Sequence, residues 1–590
     1  MAFFSHRDGY RPASIRPAYM IALVFLNVLF VCLAGLSLHA KGGTSINETP
    51  TADCPDCFGA PPPSSWTNFL NITTGEYFLG TYLAPITAVL YRVLWSSLHR
   101  NLLLVTPYRH LLRPEGASAA ETVCFEPNGW AGIFGSLRHG KKSAVAIIAA
   151  ILTLLTTLAV PISSEAVTFK VRADVKGGCS ASENNSDECT PSLAFNKALL
   201  GVLLGIAVLD ATFLTVLAWS VRRLKSVLSR DPSSIAAVAS LMNHPTVSTA
   251  LKGIPGNATS KAVRDTLRGT TWRLAASPST SSLHLIVTRG LPAIELQETE
   301  QTDSIEFKYN PDIPYSPVSQ TESQMTALPD DSANMSRKRW TRRTLILGFF
   351  VILASVFSVV AYYRWTRDLQ TGFEHFMDSQ RRGVRFLWTA IGLGISAGWS
   401  LIEYEARQQE PYQRLMRGPT AGRDSIMMTT TTLPVTALPT NLVRRHWFLA
   451  CMSLNAVLGD VITTTLAAIP YSSSTSYRGF QVSVIVSLTI LGIMMLSSFW
   501  LLFRPHSILP RAPTSIAATM TYLHGSSLVA ALHGFVSTCD SVPGTRDSRA
   551  TEEPLRDSAA LYAMRPIIDG PGITRLVVDK VNNGPGNSRN

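Results

Sequence analysis

Residues 482–503 read VSVIVSLTILGIMMLSSFWLLF, an apolar run without a charged side chain. About 18 apolar residues in a helix are enough to cross the hydrocarbon core of a bilayer. Further blocks of this kind lie at 18–38, 75–97, 143–162, 198–221, 344–363, 384–402 and 446–469, and the last block covers 480–503. Charged residues make up 16% of the chain, against roughly 25% in soluble proteins. The sequence therefore predicts an all-α membrane protein with about eight transmembrane helices.

The first block has two interpretations, a retained helix or a secretory signal. Arg7, Arg11 and Arg16 precede it as a basic segment, and Ser37–Ala40 resembles a cleavage site. Its apolar run is longer than the roughly 7–15 residues of a signal-peptide core, which favours a retained helix.

The basic residues indicate the orientation of the helices. The net charge is +12, and Lys and Arg collect in alternate loops, as the positive-inside rule predicts for cytosolic segments. The clusters lie at Arg7–Arg16, Arg100–Lys142, Arg222–Arg230, Arg337–Arg343, Arg407–Arg445 and Arg504–Arg511. The loop at 364–383 is an exception, because it carries Arg367, Arg381 and Arg382. We predict that both termini are cytosolic and that the charge reflects topology and not nucleic-acid binding.

Cysteines and glycosylation motifs support the same orientation. Two close pairs, Cys54 with Cys57 and Cys179 with Cys189, lie in predicted lumenal loops and are typical of disulfides. N-glycosylation motifs lie in the same loops, at Asn47, Asn71 and Asn184. The C-x-x-C spacing of the first pair also occurs in zinc and redox sites, but the Gly- and Pro-rich residues that follow exclude the helix of a thioredoxin-like site. We predict a membrane of the secretory pathway or the plasma membrane.

Loop landmarks occur twice in the same order. Pro107-Tyr108 follows the second block, and Pro411-Tyr412 follows the sixth. The strongest match pairs RDPSSIAA at 230–237 with RAPTSIAA at 511–518, and each motif has the pattern of a helix start. The chain therefore contains two four-helix repeats. They are parallel, because an even number of helices gives both copies the same orientation.

These landmarks set the predicted domain boundaries. The prediction is a cytosolic N-terminus (1–17), a first membrane repeat (18–263), a cytosolic linker (264–340), a second repeat (341–540) and a cytosolic tail (541–590). Pro, Ser, Thr and acidic residues predict disorder at the end of the linker, and Gly, Pro, Asn and Arg residues predict that most of the tail is disordered. Leu283–Val287 and Ile573–Val578 are apolar, β-prone exceptions.

In these features the chain resembles a fungal family of multi-pass membrane proteins classed as domain of unknown function 3433. The resemblance rests on the Pro-Tyr-x-x-Leu segments, on the basic residues before the next helices (Arg138–Lys142 and Arg444–His446), and on the Pro-x-Ser-Ile-Ala-Ala motifs. It implies a membrane location and a fungal origin but no mechanism, because the family has no established activity.

Three ionisable residues lie inside predicted membrane blocks: Arg92, Asp210 and Asp460. A charge in hydrocarbon costs roughly 2.5–3.5 kcal/mol on insertion scales, so such residues face protein or water and often mark a transport path. The alternative is a structural pair between helices, such as Arg92 with Asp210. Small residues of the sixth block favour close helix packing over a pore, at Gly392, Gly394, Ser396, Ala397 and Gly398.

The motifs of catalysis are missing from the sequence. It contains no G-x-x-x-x-G-K-[ST], H-E-x-x-H or G-x-S-x-G. We therefore predict no enzymatic activity, no cofactor and no metal. The favoured function is a structural or interaction scaffold in the lipid bilayer, with protein partners on the cytosolic linker and tail. A transporter or channel that uses the interface between the two repeats is the alternative.

Overall fold

The fold comes from a computed structural model of the full chain. It describes residues 12–39, 78–126, 144–173, 189–222, 231–256, 258–276, 283–289, 329–365, 372–378, 383–430, 432–470, 477–504, 509–529, 532, 560–570 and 573–581.

The described residues are mostly helical. In chain order the helices are α1 (Pro17–His39), α2 (Ala84–Leu111), α3 (Ala144–Ala166), α4 (Lys197–Arg222), α5 (Ile235–Leu241), α6 (Pro245–Lys252), α7 (Ser260–Thr266), α8 (Pro329–Trp365), α9 (Gly372–Asp378), α10 (Val384–Arg417), α11 (Pro434–Val443), α12 (Trp447–Ala467), α13 (Tyr477–Phe503) and α14 (Ile516–Leu523). The short strands are β1 (Ala117–Ser118), β2 (Val167–Ala173), β3 (Cys189–Phe195), β4 (Thr271–Ala276), β5 (Leu283–Arg289), β6 (Thr420–Ala421), β7 (Leu561–Gly570) and β8 (Ile573–Val581).

Six of the described helices are long and apolar enough to cross a membrane by length and composition: α3, α4, α8, α10, α12 and α13. The chain is an integral membrane protein. Helix α2 is long but more polar, because Arg92, His99 and Arg100 lie along it. In α1 the apolar stretch of described side chains, Pro17–Cys32, is shorter. Both helices nevertheless pack in the same bundle, α1 against α4 and α2 against α3.

The long helices form two copies of one four-helix arrangement. In the first copy, α1 packs on α4, α2 on α3, and α3 on α4. In the second copy, α8 packs on α13, α10 on α12, and α12 on α13. The pattern is the same in both halves, so the predicted fold class of two parallel four-helix repeats is confirmed. The repeated motifs lie at one end of the bundle, which we call the motif side. The first helix of each copy starts there, and the fourth helix finishes there.

The second helix of each copy is longer than predicted. The prediction ended these helices at residues 97 and 402 and placed the Pro-Tyr motifs after them. In the structure α2 continues to Leu111 and α10 to Arg417, with Pro107 and Pro411 inside the helices. A proline removes one backbone donor, but the helix continues here because Tyr108 and Tyr412 are buried in a core beyond the bundle.

Each copy adds a three-stranded sheet on the motif side. The first sheet has the order β1-β4-β5 and the second the order β6-β7-β8, and all the pairs are antiparallel. The β-prone stretches Leu283–Val287 and Ile573–Val578 lie in β5 and β8, as the sequence suggests. Strand β7 lies in a part of the tail for which disorder was predicted, so that prediction is wrong for β7. The two-residue strands at 117–118 and 420–421 pair with β4 and β7, which lie far later in the chain, so the sheets form through contacts between distant residues.

Candidate functional site: the seam between the two copies

Each copy docks its Ser-Ile-Ala-Ala helix on the other copy. The N–H of Ala236 in α5 donates to the carbonyl of Ile426 at 3.1 Å, and the N–H of Ala517 in α14 donates to the carbonyl of Val123 at 2.7 Å. Ala236 and Ala517 are equivalent positions of the repeated motif, and Val123 and Ile426 follow equivalent 3-10 turns. The exchange is therefore reciprocal, as a two-fold axis between the copies requires.

Serine caps fix the start of both exchanged helices. The Oγ atoms of Ser234 and Ser515 accept the N–H groups of Ala237 and Ala518, each at 3.2 Å. Such caps satisfy a backbone donor that the helix itself leaves free. The sequence motif thus acts locally to begin the helix, and the residue after the isoleucine keeps its N–H for the other copy.

Side chains from both copies fill a single core on the motif side. Trp272 and Leu285 of the first sheet lie in the same cluster as Met564 and Val578 of the second. Arg511 of the second copy, 2% exposed, donates to the carbonyls of Pro255 and Gly256 at 3.2 and 2.6 Å. The motif side is therefore one unit built from both copies.

Burial shifts the ionisation of groups in this core. It lowers the pKa of the Arg511 guanidinium, which Tyr522 beside it partly offsets. Burial likewise raises the pKa of Tyr522 to about 12, against the opposing effect of Arg511. The Tyr522 phenol also contacts the backbone of Arg511, since its Oη donates to the Arg511 carbonyl at 2.7 Å. The contact between Arg511 and Tyr522 thus holds the start of the second motif, RAPTSIAA at 511–518, against helix α14.

A small cleft opens between the four repeated motifs. Its lining includes Pro107-Tyr108, Pro411-Tyr412, Pro232–Ile235 and Pro513–Ile516. The cavity volume is about 70 Å³, enough for several water molecules at roughly 10–15 Å³ each. The described side chains that line it are apolar, hydroxyl or amide groups without a formal charge. Such a lining suits packing and neutral contacts better than acid–base chemistry.

An ion pair joins the copies within the bundle. Arg92 Nη2 of α2 lies 2.5 Å from Asp460 Oδ1 of α12 and 2.7 Å from Ser396 Oγ of α10. Ser396 Oγ also donates to Asp460 Oδ1 at 2.7 Å. The side chains of Arg92 and Asp460 are 12% and 24% exposed. Three helices from both copies thus share one compact polar cluster.

Asp210 lies in a different cluster and does not pair with Arg92. Its Oδ2 accepts the Tyr91 hydroxyl at 3.1 Å, and the Asn27 amide donates to the same hydroxyl at 2.6 Å. The predicted pairing of Arg92 with Asp210 is therefore wrong. Successive residues of a helix point about 100° apart, so Tyr91 faces α1 and α4 while Arg92 faces the other copy.

Further contacts bridge the copies along the whole length of the bundle, and we call this surface the seam. At the end opposite the motif side, Tyr82 contacts Ser483 and Glu165 Oε1 accepts the N–H groups of Gly383 and Phe386. Deeper in the bundle, Thr389 Oγ1 donates to Ser164 Oγ at 3.0 Å. Nearer the motif side, the Arg100 guanidinium lies 5.1 Å from the Tyr404 ring centre.

A second set of buried charges, which sequence analysis missed, lies on the extension of α10. Glu403 and Arg407 pair with each other, and both are buried. Glu410 pairs with Arg414 and Arg504, each at 3.1 Å. The i, i+4 spacing of Glu403 with Arg407 and of Glu410 with Arg414 was the available signal. The sequence predicts that the membrane helix ends at residue 402, so these residues fall in a predicted loop, where the spacing has no helical meaning.

The small residues of α10 serve helix packing. A Cβ added at Gly392 would lie 2.8 Å from the Thr463 backbone of α12, and one at Gly398 would meet the Phe349 ring. A Cβ at Gly394 would meet nothing within 4 Å. Close packing thus depends on Gly392 and Gly398, and Gly394 faces open space.

Several predicted sites lie outside the described residues. These are Cys54, Cys57, Cys179, Asn47, Asn71 and Asn184. Cys189 begins strand β3, where its backbone pairs with Ala173.

A sequence-family model described as "Protein of unknown function (DUF3433)" matches residues 78–168 and again residues 383–471. The family model thus matches each of the two copies once. Each DUF3433 match covers the pair of helices, α2 with α3 or α10 with α12, that forms one side of the seam. No curated protein and no solved structure matches the chain. Arg92 belongs to the first DUF3433 copy, and Ser396 and Asp460 belong to the second, so the ion pair joins the two domains.

Proposed function

We propose that the protein is a non-enzymatic scaffold of a secretory-pathway or plasma membrane, with protein partners bound through its linker and tail. The observation that carries the proposal is the closed seam. Its side chains bridge the copies from Glu165 at one end to Arg100 at the other, and the exchanged helices tie them together beyond the bundle. A transporter or channel at the seam would have to break these contacts to open a path, whereas a scaffold uses them to stay rigid.

The intramembrane ion pair supports the same proposal. Charged groups on a transport path commonly face water or an exchangeable ion. Arg92 and Asp460 instead neutralise each other, and Ser396 donates to the carboxylate. The pair thus holds three helices of two domains in one arrangement.

The proposed orientation places the motif side in the cytosol, with both termini. Exposed Arg444 and Arg445 and the partly buried Arg414 lie on that side, which agrees with the positive-inside rule. The opposite loops then face an oxidising lumen, where Cys54–Cys57 and Cys179–Cys189 form disulfides and Asn47, Asn71 and Asn184 carry glycans. Endoglycosidase should reduce the mass of the expressed protein, and Asn184→Gln should remove part of that shift. An unchanged mass in a glycosylating host would contradict the orientation.

A locked seam distinguishes the scaffold from the transporter. Ser164→Cys with Thr389→Cys places two thiols where the native oxygens are 3.0 Å apart, so oxidation can link the domains. Ser164→Cys alone is the matched control. In a scaffold, the oxidised double variant keeps the same neighbours in proximity labelling as the single variant. In a transporter, ion or solute flux through reconstituted vesicles falls on oxidation and returns on reduction, and this result would overturn the proposal.

The linker supplies the second arm of the test. Replacing residues 291–328 by a Gly-Ser segment of equal length should remove specific neighbours from the proximity-labelled set, because the partner-binding sequence is lost. The membrane domains remain in place as the internal control. An unchanged set of neighbours would show that partners do not bind the linker.

A further inference from the structure

We propose that Asp210 is a proton-binding site within the membrane, where its carboxyl is held in the neutral form between α1, α2 and α4. This goes beyond the scaffold function, which does not use Asp210. The residue is fully buried, and so is Asn27 at 1% exposure. Asn27 donates to the Tyr91 hydroxyl, which in turn donates to Asp210 Oδ2. The three side chains form a short chain of hydrogen bonds that ends on the carboxyl.

Among the described residues that surround Asp210, none supplies a compensating cation. Between their terminal residues, α1 and α4 contribute no charged side chain other than Asp210 itself, and α3 contributes none before Glu165. From α2 the neighbours are Tyr91 and Arg92, but the guanidinium of Arg92 is directed to Asp460. An ionised carboxylate buried without a partner is costly, and such a group takes up a proton instead.

Three other acids of the described bundle, two buried and one half-buried, show the contrast. Asp460 lies 2.5 Å from Arg92, Glu403 pairs with Arg407, and Glu410 pairs with Arg504 at 3.1 Å. Each of these carboxylates meets a guanidinium, which stabilises the ionised form. Asp210 meets a phenol. Two aspartates of the same membrane bundle should therefore differ in protonation at the same pH.

Two orphan oxygens point to the position of the proton. Among the described residues, Asp210 Oδ1 and Asn27 Oδ1 are buried acceptors without a hydrogen-bond partner. Both belong to the chain that runs through Tyr91. A proton on Asp210 Oδ1 changes this oxygen from an unsatisfied acceptor into a donor, and the cluster still holds an acceptor in need of one, Asn27 Oδ1. A bound proton thus removes an unpaired acceptor, Asp210 Oδ1, from the buried cluster.

The site belongs to the first copy only. In the alignment of the Ser-Ile-Ala-Ala motifs, the position of Asp210 in α4 corresponds to Leu491 in α13. Leu491 is fully buried in an apolar cluster. The second copy thus has an uncharged hydrocarbon side chain at the equivalent position. This environment suits a neutral carboxyl group at Asp210 better than a charged carboxylate.

Infrared spectroscopy of the full chain in lipid vesicles tests the proposal without requiring reagent access. Protein labelled with 13C-carboxyl aspartate should show the carbonyl band of a protonated aspartic acid at pH 7.5, where exposed aspartates are ionised. Asp210→Asn should remove this band, and Asp460→Asn should leave it. If Asp210→Asn does not fold, Tyr91→Phe provides the assignment, because loss of the hydroxyl donor should shift the frequency of the band.

Three results would overturn the proposal. The first is the absence of a protonated aspartate band in the wild-type protein. The second is a band that persists unchanged in Asp210→Asn or, where that variant does not fold, in Tyr91→Phe. The third is a band that disappears when sodium ions replace a bulky organic cation at constant pH, since this would show that the cluster binds a metal cation instead of a proton.

Discussion

Arg92 and Ser396 are equivalent residues of the two DUF3433 copies, and they contact each other, with Arg92 Nη2 2.7 Å from Ser396 Oγ. Each lies the same number of residues before its motif proline, Pro107 or Pro411. Arg100 and Tyr404 are related in the same way and also meet. Residues that meet their own equivalents lie close to the two-fold axis, so α2 and α10 approach each other there. Two arginines at this place would repel, and divergence of the copies allows one arginine to meet one serine.

Breaking the ion pair should destabilise the protein more than removing it. Asp460→Asn leaves the Arg92 guanidinium partly buried without a counter-charge, at an expected cost of about 3 kcal/mol in unfolding free energy. Arg92→Ser together with Asp460→Asn leaves no unpaired charge and should recover most of this loss. Thermal unfolding in detergent measures both. Equal stability of the single and double variants would show that the two residues are not coupled.

Gly392 and Gly394 form a matched pair for testing the contact between α10 and α12. Gly392→Ala places a methyl group against the Thr463 backbone and should lower the unfolding free energy by about 1–3 kcal/mol. Gly394→Ala meets open space and should be neutral or slightly stabilising, because alanine favours the helix. Thermal unfolding of the two variants provides the comparison. A similar loss in both would mean that helix packing is not the cause.

Cys124 should react with maleimide only after the motif side unfolds. Burial raises the pKa of its thiol to about 12, with Glu126 adding to the effect and Arg264 opposing it. The thiolate is the reactive form, so native protein at pH 7.5 should label slowly there and denatured protein quickly. Mapping the label to the Cys124 peptide excludes the other cysteines. Rapid labelling of the native protein at this residue would contradict the burial.

The same thiol gives the motif side a dependence on pH. The folded pKa is raised, so the contribution to stability is complete below about pH 9, the ordinary value of the thiol, and is lost as the pH rises towards 12. Cys124→Ala removes this ionisation and should flatten the fall in melting temperature over that interval. Tyr522 titrates in the same pH range, and it contributes equally to the pH dependence of the wild-type protein and of Cys124→Ala.

Arg445 holds a backbone conformation that suits glycine. Its φ is +56°, in the left-handed region, directly after the end of α11. Arg445→Gly should raise the unfolding free energy by about 1 kcal/mol, since the left-handed conformation costs an ordinary residue about that much. Arg444→Gly is the control, because Arg444 has φ of −81° and glycine there only adds freedom to the unfolded chain. An increase in stability for Arg444→Gly alone would contradict this account.

The sequence was sufficient to predict the membrane helices and the duplication, because both depend on local patterns. The apolar blocks of α4 and α13 lie close to their predicted bounds, and the Ser-Ile-Ala-Ala motifs begin helices as expected. The Pro-Tyr motifs misled the prediction, since a proline usually ends a helix unless tertiary contacts hold the following turn. Here Tyr108 and Tyr412 supply those contacts in the core of the motif side.

The partners of the predicted elements could not be derived from the repeats. The same local sequence can begin a helix that docks on its own copy or on the other copy. The motifs therefore do not predict the exchange of α5 and α14. Strand β7 was missed for a related reason, because it pairs with Thr420 and Ala421, far away in the chain. The pairing of Arg92 with Asp460 depends on the rotation of α2, which a map of apolar blocks does not specify.

The exchanged helices also set an order for biosynthesis. The carbonyl that Ala236 requires belongs to Ile426, about 190 residues later in the chain. At roughly 5–20 residues per second, the first copy waits on the order of 10–40 s before its partner leaves the ribosome. During this interval the faces of the first motif side that the second copy later covers are open to chaperones and to neighbouring nascent chains. Strand β8 is the last described element along the chain, and it joins the assembly when Arg575 donates to the carbonyl of Ile254.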